Sequence, residues 1–178
     1  MMTLVQWSLL IGLLATAVSY DVATRRIPNW LVCVSLLTAL TCSSNGATSL
    51  DFTASLLGAV TGLLVLLPFY VLRVMGAGDV KLLGTVGALL GPIPTLGAAL
   101  LALAAGGALS VMAALGSRSL LRVVANLRLM LFVFAAGKSS GMSVTDVNTT
   151  GRLPYAVAIA AGTGLQLWLA ARGGWLFA

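Results

Sequence analysis

The sequence has 178 residues, 60% of them hydrophobic and 8% charged, with a formal net charge of +6 and a mean hydropathy of +1.07. A water-soluble domain carries about 25% charged residues, so a soluble enzyme and a nucleic-acid-binding domain are both poor readings, and an integral membrane protein is the expectation. The acidic residues number four, all aspartates (Asp21, Asp51, Asp79 and Asp146), and there is no histidine. The commonest general base and the commonest metal ligand are therefore missing, acid–base chemistry falls to aspartate, and neither a metal site nor a cofactor is predicted.

In chain order, the first apolar run predicts a transmembrane helix over about 3–20, ending at Tyr20-Asp21. Ala15-Thr16-Ala17 has the small-residue spacing of a signal cleavage site. The first basic residues, Arg25 and Arg26, follow that run instead of preceding it, so the helix is expected to be retained. Ile27-Pro28-Asn29 leads into a second span over about 28–42, which holds Cys33 and Cys42. Neither cysteine belongs to a CxxC pair, and both read as packing thiols, with no disulfide scaffold or zinc ribbon.

A third span covers about 52–72. Its Gly58 and Gly62 form a small-xxx-small pair that is either a close-packing face or incidental. Met75-Gly76-Ala77-Gly78-Asp79 opens a fourth span, about 79–91, and Gly91-Pro92-Ile93-Pro94 interrupts the long apolar stretch before a fifth, about 95–116. Residues 117–152 form the sizeable polar segment. Its first part, Arg118 to Phe134, sets Arg118, Arg122 and Arg128 on a polar arc against Leu120, Leu121, Val124, Leu127 and Leu131, the pattern of a helix lying in the membrane interface. Its second part, Lys138 to Gly151, is rich in Ser, Thr, Gly and Asn and reads as a loop. Leu153-Pro154-Tyr155 then opens a sixth span, about 153–171, with Pro154 in the first helical turn, where its missing N–H is harmless.

The predicted fold is therefore all-α. It is a single membrane-embedded domain over 1–178 with six transmembrane helices and a cytoplasmic interfacial amphipathic helix. Six spans place Arg25, Arg26, Arg73, Lys81, Arg118, Arg122, Arg128, Lys138 and Arg152 on one face and only Arg172 on the other, as the positive-inside rule demands. The crowded face is the cytoplasmic one, both termini are expected outside the cytoplasm, and membrane lipids are the surrounding partner.

Asp21 ends the first span and Asp79 begins the fourth, so both fall at the cytoplasmic boundary, where an ionisable side chain is a functional-site hypothesis. If these helices touch, the two carboxyls share a proton and titrate in separated steps. One then takes a proton from water while the other polarises a scissile carbonyl. The plainer alternative is charge neutralisation: Asp21 and Arg25 are spaced i, i+4, and Lys81 follows Asp79 closely. The glycines around Asp79 favour the functional reading, since Gly76 and Gly78 permit an extended substrate strand to approach the backbone beside the carboxyl. Lys81 reads either as a partner for an aspartate or substrate acid, or as a lysine snorkelling to the membrane edge. Arg25 and Arg26 read chiefly as headgroup contacts.

Gly76-Ala77-Gly78-Asp79-Val80-Lys81-Leu82-Leu83 resembles the GxGD motif of the type IV prepilin peptidases. Tyr20-Asp21-Val22-Ala23-Thr24-Arg25-Arg26-Ile27-Pro28-Asn29 resembles the segment carrying their first catalytic aspartate, and Leu153-Pro154-Tyr155-Ala156 is similar to a Pro-Tyr element of their small members. The resemblance implies a metal-independent aspartic endopeptidase of the bacterial inner membrane. Asp21 and Asp79 would be its catalytic residues, with Gly76, Gly78, Lys81, Arg25, Arg26, Pro28, Asn29, Pro154 and Tyr155 as supporting motif positions. Its substrate would be a prepilin or pseudopilin, a single-span protein that loses a basic leader. The cysteine-bearing insert of the larger members is missing, which implies no N-methyltransferase activity, and the size is closer to the peptidases of Flp-type, tight-adherence pilus systems. Two other classes compete. In a small transporter or proton or ion channel the aspartates would relay charge, although relay carboxylates usually sit mid-span. In a non-catalytic membrane subunit both motifs would be incidental.

Overall fold

The computed structural model describes residues 2–72, 75–116 and 155–173. Among these residues the chain is helical throughout: α1 (Leu4–Thr24), α2 (Asn29–Ser44), α3 (Phe52–Val71), α4 (Ala77–Leu90), α5 (Pro92–Gly116) and α6 (Tyr155–Ala171). The amphipathic helix and loop expected over 117–152 lie outside the described residues, as do Arg73 and Pro154. The chain forms two compact units, residues 1–106 with 154–178 and residues 107–153. Of the second, only the last turns of α5 are described, with Val111, Met112 and Leu115 exposed.

Among the described residues three helices are long and apolar enough to cross a membrane: α1, α3 and the Pro92–Met112 part of α5. α2 and α6 are apolar but shorter, and α4 has 14 residues, about 21 Å against a hydrocarbon core of about 30 Å. The distribution of polarity supports a membrane protein. Ile11, Leu37, Leu64, Val71 and Leu100 are exposed, whereas Gln6, Ser55, Thr85, Thr95, Thr163 and Gln166 are buried. An apolar exterior over a partly polar interior suits lipid better than water. Cys33 belongs to that exterior, so it is no core-packing thiol; Cys42 is half-buried, and both are free.

α4 is the hub of the first unit and packs against α1, α2, α3 and α6. From Leu82 to Leu90 every one of its residues is buried, which its composition allows because it is apolar or small all round. Its closest neighbour is α3. A Cβ on Gly58 would overlap the Gly87 carbonyl, and one on Gly62 would overlap the Leu83 carbonyl. The Gly58/Gly62 pair is thus a close-packing face, because the missing side chains let two backbones meet. Ser55 adds a hydroxyl donated to the Ala88 carbonyl at 2.7 Å.

The predicted break at Gly91-Pro92 is a one-residue joint between α4 and α5. Gly91 adopts φ 82°, a conformation glycine takes at no steric cost, and Pro92 follows in the first helical turn. At the start of α1, the Gln6 carboxamide oxygen accepts the N–H groups of Thr3 (2.9 Å) and Ser49 (3.1 Å), while its nitrogen donates to the Leu89 carbonyl at 3.1 Å. One buried side chain therefore ties together the start of α1, the α2–α3 connection and the end of α4.

Candidate active site

The end of the first unit opposite Gln6 is built around the α1–α2 connection. α1 closes on Arg25, whose φ of 53° is left-handed, and the Arg25 N–H donates to the Asp21 carbonyl at 2.8 Å. Pro28, with φ −68°, then sets the chain extended before α2 begins at Asn29. Tyr20 and Trp30 meet edge to face across this joint, their ring centroids 6.4 Å apart. The connection lies along the start of α4: a Cβ on Gly78 would come within 3.2 Å of Ile27 Cβ, and Lys81 Nζ donates to Asn29 Oδ1 at 3.1 Å.

The two halves of the candidate site come together here. Asp21 is buried, 5% exposed, in the last turns of α1. Asp79 is half-buried in the first turn of α4, and its charge interacts with that of Asp21. Each carboxyl accepts a backbone N–H. Asp21 Oδ2 accepts from Ala156 at 2.9 Å, and Asp79 Oδ2 accepts from Gly76 at 3.2 Å. Helix starts supply both donors, since the first N–H groups of a helix have no partner within it.

The supporting residues differ in their surroundings. Gly76 has φ −77° and ψ 150°, a backbone that any residue adopts, so its value is space: a Cβ there would stand 3.3 Å from Asp79 Oδ2. Gly78 is already helical and makes room for Ile27, which differs from the expectation of a loop presenting backbone to an extended strand. Arg25 and Arg26 are exposed while Asp21 is buried; their spacing on the helix does not carry the Arg25 side chain inward with the carboxyl. Lys81 is exposed and tied to Asn29. Tyr155 interacts electrostatically with Asp79 and donates its hydroxyl to the Ala102 carbonyl at 3.3 Å.

Sequence reasoning missed Ala156. It acts through its backbone N–H, and a peptide N–H leaves no mark in the residue type. The one available signal was the expectation of a helix start at Pro154, which implies unpartnered N–H groups just beyond it. Among the described residues no cluster of three or more metal-ligating side chains occurs.

A buried carboxyl, a second carboxyl within reach of its charge and a donor on each can perform general acid–base chemistry on a water molecule. The family model of the type IV leader peptidase family matches residues 8–111. No curated protein and no solved structure matches the chain. The matched stretch covers more than half of the chain, includes Asp21 and Asp79 and ends before α6. This chain is a membrane protein that belongs to the type IV leader peptidase family.

Proposed function

We propose that this protein is an aspartic endopeptidase that removes the basic leader of prepilin-like, single-span substrates at the cytoplasmic face of the bacterial inner membrane. The observation that carries the reading is that Asp21 and Asp79, the only acids near that end of the bundle among the described residues, lie within range of each other's charge. Family membership makes the chain a protease; the substrate and the division of labour are proposed.

Chemistry by such a pair needs one proton between two carboxyls. The ionised carboxylate takes a proton from water as the water oxygen bonds to the scissile carbonyl carbon. The protonated carboxyl gives its proton to the carbonyl oxygen, and a gem-diol results. The C–N bond then breaks, a proton passes to the leaving amine, and the pair returns to its starting state. No metal is required for these steps. A helical peptide hides its carbonyls in its own hydrogen bonds, so the substrate must be unwound at the cut, as it is where a membrane helix ends.

The exposed Arg25, Arg26 and Lys81 cluster with the carboxyls, whereas Arg172 stacks at 4.1 Å on Trp168 at the far end of α6. That asymmetry supports a cytoplasmic site under the positive-inside rule. A basic leader is not attracted by these cations, so recognition falls to the lipid-embedded helix of the substrate and to the backbone near the cut.

Co-expression with a Flp-type prepilin, read by the loss of leader on a gel, tests the reading. Wild type is expected to shorten the prepilin in the presence of a chelator. Asp21→Asn and Asp79→Asn are each expected to lower the rate on the order of 1,000-fold or more, because the amide neither ionises nor gives up a proton to a carbonyl. Cleavage by either variant at the wild-type rate, or an unshortened prepilin with wild type, overturns the dyad and makes proton flux the next assay.

A further inference from the structure

The second residue of α6 is bonded to one of the two carboxyls, and the first feels the charge of the other. Ala156 N–H is bonded to Asp21 Oδ2, and Tyr155 interacts with the charge of Asp79. Both residues lie beyond residues 8–111, the stretch that the family model matches. The direction of the Ala156 N–H is not set by its own helix, since the groups of a first turn have no partner four residues back and such turns fray. Something outside α6 must hold the turn.

That hold is on α5. The Tyr155 ring lies in the space left by the missing side chain of Gly106, where an added Cβ would overlap the ring edge. The hydroxyl reaches the Ala102 carbonyl one turn away. Farther along α6, Gly162 comes so close to Ala102 that a Cβ would overlap its backbone nitrogen. α6 is thus laid against small residues of α5 at two levels, and Tyr155 is the anchor beside the carboxyls.

We infer that Tyr155 is a positioning residue for the Asp21 carboxyl: seated against Gly106 and bonded to Ala102, it fixes the first turn of α6 so that the Ala156 N–H is aimed at Asp21 Oδ2. The ring supplies most of the effect, because it fills the seat; the hydroxyl adds one hydrogen bond. The inference rests on the proposed role of Asp21, and it has a structural part that stands apart from activity.

The test uses the full chain in detergent micelles, with Tyr155→Phe, Tyr155→Ala and Gly106→Ala. Amide hydrogen exchange at Ala156 and the kinetics of leader removal are both measured. Tyr155→Ala and Gly106→Ala are expected to speed exchange at Ala156 and to lower kcat by about 100-fold, as an ångström-scale misplacement does, with KM within about twofold of wild type. Tyr155→Phe is expected to keep the slow exchange and to lose only about fivefold in kcat, the cost of one hydrogen bond. Unchanged exchange at Ala156 in Tyr155→Ala overturns the inference. So does a Tyr155→Phe variant as slow as Tyr155→Ala with exchange intact, which would place the hydroxyl at the reacting centre itself. If Gly106→Ala does not fold, the two Tyr155 variants decide. If wild type cleaves no leader, the proposed function fails while the exchange measurement still decides whether Tyr155 sets the turn.

Discussion

Asp79 does not stand alone in its turn: its Oδ2 folds back onto the N–H of Gly76, and the missing side chain of Gly76 leaves the room for it. Gly76→Ala separates activity from stability. The backbone there suits alanine, and replacing glycine stiffens the unfolded chain, so stability is expected to hold or to rise by about 0.5 kcal/mol. The new methyl stands 3.3 Å from the carboxylate oxygen and must push it aside, so leader cleavage is expected to slow by about tenfold, on the scale that small misplacements cost. Thermal unfolding in micelles and a cleavage time course check the two halves together; a fall in both would mean that Gly76 is structural. Asp21 and Asp79 stand out as candidates in the sequence because it is nearly free of acids. The Ala156 donor does not, because every non-proline residue carries the same N–H.

Among the elements, α4 joins the site to the rest of the bundle. It is too short to cross a bilayer straight, yet from Leu82 onward it is wholly buried, and glycines face glycines where it crosses α3. No side chain is available to give way at Gly87, since the atom a Cβ would overlap is the Gly58 carbonyl oxygen. Gly87→Ala is therefore expected to cost about 3 kcal/mol, the upper range for overpacking. Gly12→Ala, where nothing lies within 4 Å of the added atom, is expected to be neutral or to stabilise by up to about 1 kcal/mol as an exposed helix position. Unfolding in mixed micelles compares the two, and equal effects would refute a close-packed α3–α4 seam. The pair Gly58 and Gly62 was visible in the sequence, whereas its partner was not, because spacing along one helix says nothing about which helix lies against it.

At the scale of the molecule, polar groups are set within a mainly apolar interior while large apolar side chains also face outward. Gln6 joins three parts of the fold at the end remote from the carboxyls. Gln6→Leu strands the N–H groups of Thr3 and Ser49, so it is expected to lower stability by about 2 kcal/mol. The kcat of the molecules that remain folded should stay near wild type, and a large fall in kcat would show that the two ends are coupled. Thr163 Oγ1 and both amide atoms of Gln166 are buried without a hydrogen-bond partner among the described residues. This is a standing cost inside the fold, which Gln166→Met is expected to relieve by about 1 kcal/mol in the same unfolding assay.

The sequence by itself determined the solvent and narrowed the candidates for acid–base chemistry. A chain so apolar buries its surface in lipid, and a chain with few acids and no histidine or glutamate leaves aspartate to move protons. It also determined the helical break at Gly91-Pro92, because backbone sterics are local. Only the tertiary structure decided that Asp21 and Asp79 fall within range of each other's charge, that α3 is the partner of the α4 glycines and that α6 supplies a donor to Asp21. Those contacts join residues far apart in the chain, and they depend on which helices pack together, a choice set by the fit of many weakly specific apolar surfaces.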